Sequence, residues 1–348
     1  MKILQKTFKN LIALLFPALI LAIALTSCRK KEPEPAGSYV PENYLSEGNQ
    51  IAFDRASLNA VPDNPNPTLN VPTYLIKVDG IFFIVDCYNN QVIYNDSLAD
   101  PLYKWHVMTN DISMGHTLAS DGQVYLIDDT ENNRILVMEK ALNDNGQTIF
   151  VPTQEFLDIG NRPHYIIYDA PTDTFYAWSS QSGEMYLFRR GKDSTRMYLT
   201  EIRSIPSLDN VYVRSFTIME DRIYFVSGNS SIIEADLDTF KIKKEYPVPE
   251  QLAGMIQLTR IEDYFYITIS TDAAGNQDCA TILRTRSLKD LAEGNYEDVY
   301  SNFIGGGTPY YITNNNNVWY LTEHRIPGHS IWSFRVTDNK ITDVIPIY

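Results

Sequence analysis

Cysteine is scarce in this chain: Cys28, Cys87 and Cys279 are the only three among 348 residues. So few exclude a disulfide-stapled scaffold and any Cys-x-x-Cys metal or redox motif. Basic residues are short too, with 29 Lys and Arg against 43 Asp and Glu and a net charge of −14. A surface that acidic argues against nucleic acid as a partner and against adhesion to anionic lipid headgroups. Helical periodicity is nearly missing, and only "SLKDLAEG" at 287–294 reads as a helical turn or two. No phosphate-binding glycine loop, dinucleotide fingerprint or Ser-His-Asp order is present, so nothing points to those chemistries. A long apolar run occurs at one place, Leu11 to Leu25.

That run follows Lys2, Lys6 and Lys9 and ends in Leu25-Thr26-Ser27-Cys28. Its fifteen residues would span ~22 Å as a helix, short of the ~30 Å hydrocarbon core. Residues 1–27 therefore read as an export leader rather than a spanning helix. The Leu-Thr-Ser-Cys ending resembles the bacterial lipobox, which implies lipidation of Cys28 and a membrane partner through that anchor. Arg29 stands where an inner-membrane retention signal resembling that of other lipoproteins would carry Asp. The expected location is thus the Gram-negative cell envelope, at the outer membrane. Residues 28–70, with "KKEPEPAG" and "PDNPNP" near their ends, read as a flexible tether. Such composition buries too little apolar surface to offset its ordering entropy, and its prolines keep it extended. Removing the three leader lysines takes the charge of the remaining chain from −14 to −17.

Residues 71–348 repeat. Six segments begin at Tyr74, His116, His164, Arg214, Met255 and Pro309, spaced 42, 48, 50, 41 and 54 residues apart. Each is a β-rich run closed by a polar turn. A second apolar run follows each time: IFFIVD, QVYLID, TFYAWS, RIYFVS, YFYITIS and NVWYLT. Strands at that period without helices between them predict an all-β, six-bladed β-propeller. A large β-sandwich gives no reason for one turn order to recur six times. Closure of the ring is expected to pair near-N-terminal residues with the last strand, Lys340 to Tyr348. Cys87 and Cys279 fall in blades one and five and are not expected to pair.

"VYLIDDTENNRILVME" is similar to the NHL repeat, with Asp129, Asn132, Asn133, Arg134 and Ile135 in the motif positions. "FIVDCYNNQVIY" in blade one matches with Asp86, Asn89 and Asn90, and has Gln91 where the repeat carries Arg. Blades three to six keep the strands and lose the motif. The resemblance implies an NHL-like propeller. That family includes binding modules and enzymes, among them a peptidyl-hydroxyglycine lyase with metal-bound histidines. Related six-bladed propellers include calcium-dependent lactonases. Fold alone leaves function open.

Blade geometry groups the candidates. Strand one lines the central channel, and its start lies on the same face as the loop between strands two and three. His116 and His164 hold the same register, five residues before Asp121 and Asp169, in neighbouring blades. They are expected side by side at the channel mouth, where Arg214 opens the next blade. Glu323, His324, Arg325 and His329 belong to a blade-six loop on that face, as do Asp86, Asp129, Glu131 and Arg134. Ordinary roles compete for each: a satisfied strand histidine, an Asx-type loop cap for Asp86 and Asp129, a neutralising arginine.

Two readings follow. In the first, the channel face binds a small molecule, glycan or peptide, with Tyr74, Tyr310, Arg214 and Arg325 as ligand contacts. In the second the protein is a lyase or hydrolase, with His116, His164 and Arg214 as the catalytic set. That second reading has two forms. Either His116, His164 and a third ligand from His324 or Glu323 hold a divalent metal, Zn²⁺ or Ca²⁺. Or a histidine acts as general base and Arg214 stabilises an enolate.

Overall fold

The computed structural model describes residues 43–348 except 55–58, 60, 193 and 273. The leader, Cys28 and the first part of the expected tether lie outside the described residues.

Six antiparallel sheets of four consecutive strands follow one another along the chain, and the second gains a fifth strand, Asn49–Gln50, on its outer edge. Blade one comprises Pro72–Val78, Ile81–Asp86, Gln91–Asn95 and His106–Thr109. Blade two runs from Leu118–Ser120 to Thr148–Phe156, and blade three from Pro163–Asp169 to Met197–Ser204. Blades four, five and six start at Val213–Met219, Gly254–Ile261 and Thr308–Asn315. This is the six-bladed propeller that the spacing predicts. The expected helical stretch is a 3-10 helix, Leu288–Glu293, ended by Gly294 at φ +78°. Glycine suits that left-handed turn because it has no Cβ to clash.

The burial pattern explains the apolar runs. A second strand is covered on both sides by neighbouring blades, so Thr174–Ser179 is buried at all six positions. The outermost strands face solvent and alternate or turn polar, as in Ile242–Pro247 and Lys340–Pro346. Aromatic pairs join the blades: Phe156 with Phe188 at 4.9 Å and Trp178 with Phe225 at 4.6 Å between ring centroids.

The channel is plugged rather than open. Tyr165 of blade three and Tyr311 of blade six meet at 4.9 Å across it, and Tyr74 packs edge-on against both. Gln257 of blade five donates to the Tyr165 hydroxyl at 3.3 Å. These rings form a floor.

Two expectations change. The ring does not close by strand exchange, because Lys340–Pro346 pairs only with the third strand of its own blade. Blades six and one are joined instead by side chains. Thr322 and Thr313 donate to the carbonyls of Thr73 and Leu75, and Tyr348 shares a hydrogen bond with Trp105 Nε1 at 2.9 Å.

The second change concerns the tether boundary expected at 70/71. Its described part lies along the rims. Leu45 and Ser46 bond to Leu199, Asn49–Gln50 pairs with Gln154 and Glu155, and Pro62 and Asn64 bond to blade one. Ile51, Val61 and Leu69 of this segment pack against the blade cores, and its backbone satisfies outer-strand N–H and C=O groups that would otherwise stand unpaired. Cys87 and Cys279 are both free thiols.

Candidate functional site: a cationic cup at the channel mouth

The two loops that carry the Asp-x-x-Asn motif are built alike. Asp86 accepts from Asn70 N at 2.7 Å, Asn89 Nδ2 at 2.6 Å and Gln91 Nε2 at 3.2 Å. Asp129 accepts from Ser113 N at 2.7 Å, Asn132 Nδ2 at 2.9 Å and Arg134 Nε at 2.7 Å. Both carboxylates are fully buried. They are loop staples, though they hold partner side chains and the incoming strand rather than the Asx-type cap of their own turn. Burial pushes the Asp86 carboxyl up to about 6, against the hydrogen bonds from Asn89, Asn70 and Gln91. Arg134 is held by Asp129, Glu155 and Asp111, so it is structural.

Each motif ends in a left-handed asparagine, Asn90 at φ +52° and Asn133 at φ +49°. Their side-chain oxygens accept the N–H of Met114 and Arg162, at 2.9 and 2.8 Å. Those two residues also have positive φ, +56° and +63°. Strain of this kind persists only where the surroundings over-determine it. Here it turns Met114 and Arg162 into the mouth of the channel. Glu131 then pairs with the Arg162 guanidinium.

A cavity of about 220 Å³ lies at that mouth. Its polar walls are Arg162, Arg214, Tyr212, Tyr310, His116 and His324, with Ser270, Gln277 and Thr308 between them. No aspartate or glutamate lines it. Arg214 stacks over Tyr212 at 5.0 Å and donates to Ser270 Oγ and the Gly254 carbonyl. Among the described residues no carboxylate pairs with it. The hydroxyls of Tyr212 and Tyr310 have no hydrogen-bond partner among the described residues either.

The register argument places the two histidines correctly. His116 and His164 stack with centroids 3.7 Å apart and planes 26° from parallel, and Tyr310 lies 6.0 Å beyond His116. His164 Nδ1 lies 3.1 Å from the Arg214 carbonyl, which can only accept, so the proton sits on Nδ1. His116 Nδ1 meets Thr130 Oγ1 at 3.0 Å, and its Nε2 faces the Cys87 thiol at 3.8 Å. Both imidazoles are neutral. Burial, then Arg162 and Arg214, drive His116 down to about 3; burial, then His116 and Arg214, lower His164. Burial pushes the Cys87 thiol up, so it is no nucleophile. Beneath them Asp128 is buried, raised to about 6 by burial, and bonded to His116 N, Thr117 and Thr130.

The expected metal set is not assembled. Among the described residues, no three His, Cys, Asp or Glu side chains converge to hold an ion. The reason is geometric. Imidazole lone pairs lie in the ring plane, so stacked rings direct them side by side rather than toward one point. Tyr310 neighbours both His116 and His324, at 6.0 and 6.3 Å. Glu323 is buried and occupied by Tyr300 Oη at 2.5 Å and Trp332 Nε1 at 2.8 Å. Calcium, which takes oxygen ligands, finds no carboxylate in the cavity wall. Neither Zn²⁺ nor Ca²⁺ fits these residues.

Most of the remaining candidates divide between the two cavities and the floor. Tyr310 lines the cavity, whereas Tyr74, equally buried, packs against Tyr165 and Tyr311 in the floor. Arg325 lines a larger neighbouring cavity, and His329 stacks on Trp332 outside both. Arg162 and Tyr212 are the functional candidates that sequence reading missed. Each sits just before a first strand, and the signal available was the left-handed Asn133 of the motif, which reaches Arg162.

No family model matches the chain, and no curated protein is similar to it in sequence. Solved structures are similar in fold. Streptogramin B lyase matches at 17% identity, TM-score 0.51, over 81% of this chain and 85% of its own. A 6-phosphogluconolactonase-like protein from Bacteroides uniformis matches at 14% identity, TM-score 0.55, over 89% and 95%. A similar protein from Bacteroides fragilis matches at 13% identity, TM-score 0.54, over 79% and 83%.

Proposed function

We propose that this protein is an exported, lipid-anchored NHL-like propeller that binds a small organic anion at its channel mouth. One observation carries the reading. In a chain with 14 more acidic than basic residues, the channel-mouth cavity has no carboxylate in its wall, two neutral imidazoles and two guanidiniums. Of these, Arg162 is paired with Glu131 outside the lining and Arg214 has no carboxylate partner among the described residues. Guanidinium groups match carboxylate and phosphate oxygens in pairs. Arg214 is bonded to neutral oxygens only, and the free phenols of Tyr212 and Tyr310 add donors. The plug of Tyr74, Tyr165 and Tyr311 makes the site a cup.

Binding is favoured over catalysis by the state of the histidines. A general base needs a nitrogen open to the substrate and a pKa near the working pH. Both His116 nitrogens are engaged, and His164 Nε2 is wholly buried without a partner. Lyase and lactonase-like proteins share this fold, but that likeness carries no chemistry to these residues.

Calorimetric titration with acetate and inorganic phosphate tests the reading. Arg214→Gln is expected to weaken anion binding on the order of tenfold or more, the scale of a charged hydrogen bond. Equal affinity in wild type and variant, or no anion binding at all, rejects it. Anchoring rests on the lipobox resemblance at Cys28. Cys28→Ser is expected to move the protein from the membrane to the soluble fraction; retention in the membrane would reject the lipid anchor.

A further inference from the structure

A second cavity, about 600 Å³, opens beside the first between blades six and one. Val71, Tyr88 and His324 line both, so the two cavities adjoin. Their walls differ. Leu69, Leu102, Pro67, Ile326 and Pro327 give the larger cavity an apolar lining, and no Asp or Glu side chain enters it. Thr68, Asn70, Ser330 and Tyr348 add polar groups to its wall, and Arg325 donates to Oγ1 of Thr308, which lines the smaller cavity, at 3.3 Å. Tyr88 stands 54% exposed at the junction. An aromatic that exposed beside an apolar cavity offers a stacking face.

Size separates the two compartments. The cationic cup is below the ~300 Å³ at which small-molecule sites begin, whereas the larger cavity falls inside the usual range. A bare inorganic anion would leave the larger cavity unused. We infer that the ligand is an amphipathic organic anion. Its anionic group lies between Arg162 and Arg214, and its uncharged, ring-bearing body extends past Tyr88 and His324 into the apolar cavity. This rests on the anion-binding reading above and adds the class of the ligand. The wall of the larger cavity includes 67–71, so the segment leading from the tether into blade one shapes specificity.

The experiment titrates the full-length chain with acetate, 3-phenylpropionate and uncharged 3-phenylpropanol. It is repeated on Leu69→Trp, which fills the apolar cavity, on Ile326→Asp, which charges it, and on Arg214→Gln. Wild type is expected to bind 3-phenylpropionate at least on the order of tenfold more tightly than acetate, from the added apolar burial. Leu69→Trp should erase that advantage and leave acetate unchanged, Ile326→Asp should erase it while weakening both anions through its charge, and Arg214→Gln should weaken both anions. Equal affinity for acetate and 3-phenylpropionate, or an advantage surviving both cavity variants, overturns the two-compartment ligand and spares anion binding. Absence of binding by either anion, or 3-phenylpropanol binding as tightly as 3-phenylpropionate, overturns both.

Discussion

The motif loops of blades one and two and the cavity a few residues away use the same kinds of side chain in opposite ways. In the loops, polar groups are spent on the protein: Asp129 alone engages a backbone N–H, an asparagine and an arginine. In the cavity, Arg214 has neutral partners and two tyrosine hydroxyls have none among the described residues. Buried polar groups are ordinarily satisfied. Where they are satisfied internally, a recurring motif is architecture. Where they are not, the groups are available to a ligand. The two regions meet at Arg162, whose backbone is held by the motif's Asn133 and whose side chain faces the cavity.

The comparison predicts a split between stability and binding, and the loop side should show the larger effect. Asp129→Ala strips a buried carboxylate from Arg134 and is expected to cost about 3–5 kcal/mol in urea unfolding, the scale of breaking a buried pair. Arg214→Gln is expected to change stability by no more than about 1 kcal/mol while weakening anion binding. If Asp129→Ala unfolds at wild-type urea concentration, or Arg214→Gln is the more damaging to the fold, the division into staple and site is wrong.

A smaller effect separates the regions by pH. Burial lowers His116 to about 3 and lowers His164 as well, so as the pH falls below about 6.5 the unfolded chain binds protons that the folded chain refuses. The stability they give is complete above 6.5 and is lost as the pH falls. Asp86 and Asp128, raised to about 6, act oppositely: the folded chain takes up their protons first, gaining stability between about 6 and 3.8. The wild-type profile therefore mixes opposing slopes, and a variant isolates one of them. Relative to wild type, His116→Gln is expected to gain up to ~1.4 kcal/mol per pH unit on acidification below 6.5. A difference between the two proteins that is the same at pH 7.5 and 4.5 would mean that His116 titrates as freely as in the unfolded chain.

Much of this was legible before any coordinates. Second strands such as Thr174–Ser179 are apolar at consecutive positions because a blade is covered on both faces, and their recurrence set the count of six. That His116 and His164 are neighbours followed from register alone, since equal distance from the turn puts equal residues at equal height in adjacent blades; that their rings stack did not. Sequence also singled out Arg214 and Tyr310. It misjudged Tyr74 and Tyr310 as equivalents, because nothing in a one-dimensional pattern tells which aromatic becomes floor and which becomes wall. It offered His324 and Glu323 as metal ligands because it could count donors but not aim their lone pairs.

Local physics, then, belonged to the sequence: strand period, turn chemistry, the aspartate loops and the acidic balance are set by neighbours a few residues apart. The tertiary structure decided what depends on distant residues meeting. It brought Arg162, Arg214 and His324 from three blades around one cup, closed the channel with tyrosines from opposite sides, and set 67–71 against the blade-six loop. Those placements follow from how tilted blades pack in a ring, and no short window of sequence contains that geometry.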